Sequence, residues 1–261
     1  MDWSAEQGYF YENPGADRDA APTSSMWKNR DFLRLKDEAL FLLDPRPGIT
    51  VLELGCANGS GLVYCGLQGS TVYGQDLDAG AVAMANEKLR QLGIKGEAKL
   101  GDARHLLFDN ASVDAVLSSD FHEHLDDETQ VAVLREAWRV LRPGGLLVLK
   151  TPNLAYLRTS LWFKRFQALV RGRDPRGFVI PHSRGTSDPQ HIGLTVRTRV
   201  TAELEQAGFH HYRFHYAPLR RFGRRPVIDV LSTAIPGVRD LLSEDLIVAA
   251  RKPIAAAHFP D

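Results

Sequence analysis

Hydrophobic and polar positions in this chain switch repeatedly between a helical and a strand period. Trp27, Phe32, Leu35, Ala39, Leu42 and Leu43 recur at three- and four-residue steps, which predicts a helix over 26–43 that Pro45 and Pro47 stop. Val51-Leu52 then runs into Glu53-Leu54 and a glycine-rich turn, the pattern of a buried strand. A short helix is expected at Gly61–Gln68, a second strand at Ser70–Asp76, and an alanine-rich helix at Asp78–Leu92 closed by Gly93. Lys95–Leu100 and Ser112–Asp120 read as the third and fourth strands. Asp127–Leu141 carries Val131, Leu134, Ala137, Trp138 and Leu141 on one stripe, an amphipathic helix that Arg142-Pro143-Gly144-Gly145 ends. Leu146–Leu149 is a buried fifth strand. Further on, Arg199–Ala207 reads as a helix, and His210–Ala217 and Asp245–Ala250 as strands.

The turn between the first strand and its helix reads Glu53-Leu54-Gly55-Cys56-Ala57-Asn58-Gly59-Ser60-Gly61. Glycine lets a backbone turn sharply and lie close to a ligand, and the following helix points amides at the same place. The spacing is acid-x-Gly-x-x-x-Gly and not Gly-x-Gly-x-x-Gly, the dinucleotide fingerprint. An acid at this strand end suits a ligand that carries an amino group. Asp76, 23 residues beyond Glu53, ends the second strand where a carboxylate accepts hydrogen bonds from ribose hydroxyls; that geometry serves NAD and sulfonium nucleosides alike.

These residues resemble the motifs of class I S-adenosylmethionine (SAM) dependent methyltransferases. The turn is similar to the family's first motif, Gly101-Asp102-Ala103 to its third, and Leu-Arg-Pro-Gly-Gly before an apolar strand to its small-molecule members. Thr151-Pro152-Asn153 is also similar, and the resemblance covers about residues 45–153. It implies an α/β fold with a seven-stranded, mostly parallel sheet, helices on both faces, and the last strand inserted antiparallel. It also implies a cofactor set of Glu53, Gly55, Cys56, Ala57, Gly59, Asp76, Leu77, Asp102, Ala103, Ser119 and Asp120. Asp102 has a plainer reading as the cap of a turn, and Cys56 as a small residue facing ligand or helix. A nicotinamide oxidoreductase is disfavoured by the turn spacing.

The expected organisation is an arm and helix over 1–47, a SAM-binding core over 48–153, a cap insertion over 154–197, and the rest of the sheet over 198–261 with a second insertion at about 219–243. Both insertions leave the carboxyl end of a strand, where open α/β sheets keep their ligands, and they are expected to form a helical cap over the substrate.

The expected reaction is methyl transfer to a small-molecule acceptor, at a hydroxyl oxygen of a sugar, lipid-linked or secondary-metabolite substrate, and such a hydroxyl needs help in losing its proton. Asp120-Phe121-His122-Glu123-His124 follows the fourth strand and offers His122, His124 and Glu123 for that task. The set Asp120, Glu123 and His124 also resembles the acid-x-x-Glu-His ligands of quinone-precursor O-methyltransferases, which implies a divalent cation such as Mg2+; that family carries Glu where Asp120 stands. In the first insertion, His191 with Asp188 resembles an Asp-x-x-His segment of methyltransferases acting on sugars and secondary metabolites. His191 is thus a further candidate base.

Composition narrows the class. Apolar residues make up 44% and charged residues 25%, as in soluble globular proteins. No stretch is apolar enough to span a membrane, the N-terminus lacks a signal-peptide pattern, and two cysteines, Cys56 and Cys65, make no disulfide framework; a cytoplasmic protein is expected. The net charge of zero divides unevenly. Residues 1–153 carry 15 Lys/Arg and 23 Asp/Glu, and residues 154–261 carry 17 and 9. Basic residues Arg158, Lys164, Arg165, Arg171 and Arg173 alternate with Leu157, Leu161, Trp162, Phe163, Phe166, Leu169 and Val170, and Arg220-Arg221-Phe222-Gly223-Arg224-Arg225 is denser still. These stretches suit an anionic or lipid-linked small-molecule substrate or peripheral contact with a membrane. No RNA-binding module is present, and nucleic acid is not expected. The competing class is a SAM-binding or membrane-docking protein of the same fold without catalysis.

Overall fold

The computed structural model describes residues 38–184, 186, 189–216, 230 and 233–254. The expected N-terminal arm, most of the first helix, Asp188, Ala217 and the Arg220–Arg225 stretch lie outside them. The chain divides into two compact units, Met1–Leu107 with Val113–Leu117, and Phe108–Ser112 with Ser118–Asp261.

The first unit contains β1 (Thr50–Leu54), α1 (Ser60–Leu67), β2 (Thr71–Asp76), α2 (Ala79–Gln91) and β3 (Gly96–Leu100), and it holds most of β4 (Val113–Ser119). β1 pairs in parallel with β2, and β2 with β3. Parallel pairing demands cover on both faces, and the strands are accordingly apolar: Val51, Leu52, Leu54, Val72, Val116 and Leu117 are fully buried. α2 begins where Asp78 accepts from the Gly80 and Ala81 amides and ends at Gly93 in the left-handed region.

The second unit contains α3 (Asp127–Val140), β5 (Leu141–Pro152), α4 (Leu154–Val170), α5 (Arg197–Gln206), β6 (His211–His215), α6 (Val238–Leu242) and β7 (Asp245–Arg251). β7 runs antiparallel to both β5 and β6. The seven strands stand in the order β3-β2-β1-β4-β5-β7-β6, so the last strand in sequence is inserted, as expected.

Three expectations need adjusting. The helix stops at Val140 and β5 begins at Leu141, because Pro143 pushes the preceding residue into extended backbone and the Gly144 amide bonds to the Lys252 carbonyl at 2.8 Å. The buried stripe of α3 is Gln130, Val133, Leu134, Ala137 and Val140, so Val131 stands off the core face and a polar Gln130 stands on it. The first insertion is helical over α4 alone. Beyond it the chain is irregular to Val196, save for single bridges Ser183–His191 and Asn153–Thr195.

Candidate active site

In the first unit the turn after β1 places three residues in the left-handed region: Gly55 (φ 62°), Ala57 (φ 44°) and Gly59 (φ 82°). Ala57 pays for this conformation with a Cβ clash of about 1–2 kcal/mol, so the surrounding bonds must enforce it. They do: the Gly55 amide donates to the Gln75 carbonyl at 2.9 Å, and the Gly59 amide to the Cys56 carbonyl at 2.8 Å. The Ala57 amide donates to Asp76 Oδ2 at 2.8 Å, and the Asp78 amide to Asp76 Oδ1 at 3.0 Å. The turn and the end of β2 are therefore one hydrogen-bonded object with the Asp76 carboxylate at its centre. Glu53 is 2% exposed. α1 crosses so close that a Cβ on Gly61 would lie 2.4 Å from Glu53 Oε1. Cys56 is buried with its sulfur against Gly74, where a Cβ would come within 2.6 Å. Leu77 is largely exposed.

Asp102 caps its own turn. Oδ1 accepts from the Arg104 amide at 2.8 Å and Oδ2 from the Arg104 guanidinium at 2.6 Å. Those bonds hold its carboxyl below the usual carboxylate range. Ala103 is buried beside it. Gln75 was not singled out by sequence reasoning. Buried on β2, it donates to the Asp102 and His105 carbonyls and accepts from the Leu107 amide, pinning the whole 102–107 loop. A polar residue in the middle of a strand pattern was the available signal.

In the second unit, Ser119 ends β4, Asp120 follows it, and a single 3-10 turn, His122–His124, comes next. Asp120 adopts φ 55°, its amide donates to the Lys150 carbonyl, and Lys150 Nζ lies 2.5 Å from Asp120 Oδ1. Ser119 Oγ donates to the other Asp120 oxygen at 3.1 Å. Lys150 is 3% exposed and also faces Asp245 at 3.6 Å, so the cation is shared by two carboxylates. Glu123 is buried and accepts from Thr151 Oγ1 at 3.0 Å. Burial, and then the Asp120 charge, push its carboxyl up to about 7.

The three histidines differ. His122 is buried with Nε2 2.9 Å from Glu203, whose other oxygen accepts from Arg199; Arg199 also pairs with Asp127 at 2.5 Å. Its ring thus belongs to an ion network joining the 3-10 turn, α3 and α5. His124 has Nδ1 3.2 Å from the Gln190 carbonyl, and burial lowers its pKa. His191 meets it ring to ring, 5.0 Å between centroids, with His182 5.6 Å from His191 on the other side. Gln130 explains this meeting. Its Nε2 donates to the His122 and Gly193 carbonyls at 2.9 and 2.8 Å, while the Gly193 amide donates to the Glu123 carbonyl at 2.8 Å.

Among the described residues, donor atoms of Glu123, His124 and His191 all lie within 4.8 Å of one another. The Mg2+ set suggested by the resemblance, Asp120, Glu123 and His124, is not the set that is gathered. Asp120 is engaged by Lys150, and the third donor is the His191 imidazole. An N,N,O set fits a hard, oxygen-seeking Mg2+ poorly.

Residues 52–149 match the family model described as "Methyltransferase domain". A probable S-adenosylmethionine-dependent methyltransferase of Mycolicibacterium smegmatis is 36% identical over 106 residues, covering 41% of this chain and 39% of that protein. The 27-O-demethylrifamycin SV methyltransferase of Amycolatopsis mediterranei is 31% identical over 119 residues, covering 44% and 43%. The chain thus spans about two fifths of the curated relatives' length. A crystal structure of a SAM-dependent methyltransferase from Archaeoglobus fulgidus superimposes with TM-score 0.56 at 19% identity, over 84% of this chain and 91% of that one, a likeness of fold. Residues 52–149 are thus similar to the SAM-dependent methyltransferases, and the likeness of fold extends beyond them.

Proposed function

We propose that this protein transfers the methyl group of SAM to a small-molecule acceptor, at a hydroxyl oxygen. The observation that carries the reading is the Asp76 carboxylate fixed by the Ala57 and Asp78 amides, beside a turn closed on the buried Glu53. In this reading the Gly55–Gly59 backbone and Glu53 hold the methionine end of SAM, Asp76 accepts from the ribose hydroxyls, and Leu77, Asp102 and Ala103 border the adenine. The sulfonium is already an excellent leaving group. The acceptor oxygen attacks the methyl carbon, the carbon–sulfur electron pair returns to sulfur, and S-adenosylhomocysteine departs neutral at sulfur. The protein's task is alignment and exclusion of water. Removal of the hydroxyl proton is assigned to Glu123 or His124. Glu123 titrates near 7, and burial keeps His124 in its neutral, proton-accepting form. His122 is the weaker candidate because Glu203 occupies its Nε2.

The acceptor reading is an anionic or lipid-linked molecule. α4 supports it: Trp162, Phe163, Phe166, Leu169 and Val170 are exposed, and residues 154–184 hold seven Lys/Arg against one Asp. Among the described residues no helix is long and apolar enough to cross a membrane. Contact with a bilayer would be peripheral.

Calorimetric titration with SAM and S-adenosylhomocysteine tests the donor site. Micromolar binding that is lost in Asp76→Ala and Glu53→Ala is expected; unchanged binding in both variants would sink the pocket. Binding without turnover on any hydroxylated acceptor would favour the non-catalytic reading.

A further inference from the structure

We propose that Glu123, His124 and His191 form a binding site for a first-row transition-metal dication of the Zn2+, Mn2+ or Co2+ kind. The three side chains bring two imidazoles and one carboxylate together, with donor atoms within 4.8 Å of one another. That donor set selects borderline metals over Mg2+ or Ca2+.

Three further features make the cluster a prepared site. A carbonyl oxygen only accepts, so the Gln190 carbonyl 3.2 Å from His124 Nδ1 fixes the proton there and leaves Nε2 with its lone pair. Metal-bound histidines are oriented in this way, by donating the other ring N–H to a carbonyl. Thr151 Oγ1 likewise donates to Glu123 Oε2 and fixes that carboxylate. Finally, the backbone holds the two contributing segments in register. Gln130 bridges the His122 and Gly193 carbonyls, and a Cβ on Gly193 would lie 1.9 Å from the Leu125 oxygen, so only glycine allows this approach. Asp120 is kept out of the set by Lys150.

Three protein donors leave coordination positions open, the arrangement of catalytic metal sites. An acceptor hydroxyl bound there would lose its proton more readily, and with the metal bound Glu123 and His124 would act as ligands in place of the proton acceptor. That role rests on the methyl-transfer reading, whereas metal binding does not.

The test uses the full chain, stripped with a chelator and titrated with Co2+ while its visible d–d absorption is followed. One equivalent is expected to bind, Zn2+ to displace it, and a large excess of Mg2+ to leave it in place. His191→Ala and Glu123→Gln should each weaken Co2+ binding by at least about tenfold. Asp120→Asn should retain one-to-one Co2+ binding with its d–d band, since Asp120 is paired with Lys150 and is no ligand. Circular dichroism checks that each variant folds, and SAM titration on the same samples reads the donor site separately. No d–d band in the parent protein, equal affinity in the parent and the His191 and Glu123 variants, or ready displacement by Mg2+ would overturn the site. SAM binding that survives such a result leaves the methyl-transfer reading standing.

Discussion

The Gly193 amide donates to the Glu123 carbonyl at 2.8 Å, tying the end of the first insertion to the turn that follows β4. This contact, the Gln130 bridge beside it and the His124–Gln190 contact together bring His191 to Glu123 and His124. Gly193→Ala should therefore act beyond its small size. The new methyl would meet the Leu125 carbonyl and the Gln130 amide, neither of which has room to yield. A loss of about 1–3 kcal/mol in denaturant unfolding is expected, with the histidine cluster opened. Gln130→Ala should cost a similar amount, because the His122 and Gly193 carbonyls lose their buried donor. Stability within about 0.5 kcal/mol of the parent in both variants would show that the contact holds nothing together.

Gly61→Ala probes the donor site in the first unit. The added Cβ would overlap the Glu53 carboxylate, 2.4 Å from Oε1. α1 should persist, since alanine favours a helix. The carboxylate should be displaced, and the SAM dissociation constant should rise by at least about tenfold, worth about 1.4 kcal/mol. Titration calorimetry on a variant with an unchanged melting profile reads the effect. Unaltered SAM affinity would remove Glu53 from the pocket.

Much of the first unit is legible along the chain because local chemistry and burial agree there. Val51-Leu52 and Thr71-Val72 are apolar runs that end in acids, and Asp78 and Gly93 sit at the helix ends that their side chain and backbone favour. The second unit is harder to read because its contacts are long-range. His124 and Gln190 are 66 residues apart, and nothing local announces that the 3-10 turn and the insertion meet. The same reason hid Lys150, which looks like the polar end of an apolar strand and is the buried partner of Asp120 and Asp245. His122 and His124 are alike in sequence and opposite in setting, since one faces Glu203 and the other faces His191. Gln130 interrupts the apolar stripe of α3, a signal that a buried polar task exists but not what it is.

The raised pKa of Glu123 makes stability depend on pH. In the native state the carboxyl titrates near 7, against 4.5 when solvated, because burial and the Asp120 charge disfavour its anion. Between those values the native protein holds a proton that the unfolded chain has lost. Unfolding then releases a proton, so stability falls as pH rises from about 4.5 to about 7 and levels off above. His124 opposes this. Burial lowers its pKa, so its contribution is lost as pH falls below 6.5. The difference between the parent protein and Glu123→Gln isolates the carboxyl. In chelator-treated samples the parent should lose on the order of 2–3 kcal/mol relative to the variant across that window. Parallel stability curves would mean that the carboxyl is solvated.

The exposed face of α4 gives the last test. Trp162 and Phe166 stack with ring centroids 5.7 Å apart, and Leu169, Phe163 and Val170 widen the same face. Arg158 and Arg165 are exposed on the same helix, and residues 154–184 carry six more positive than negative charges, from seven Lys/Arg and one Asp. A second copy of this helix would bring like charge against like, whereas an anionic bilayer complements both the rings and the charge. Vesicles containing about a third phosphatidylserine should sediment the protein, and neutral vesicles should not. The binding should fall steeply as salt rises from about 0.05 to 0.5 M, since the Debye length shrinks severalfold. Trp162→Ala with Phe166→Ala should weaken it by at least about tenfold, each buried ring being worth more than about 1 kcal/mol. Equal sedimentation with neutral vesicles, or full binding by the double variant, would assign this face some other partner.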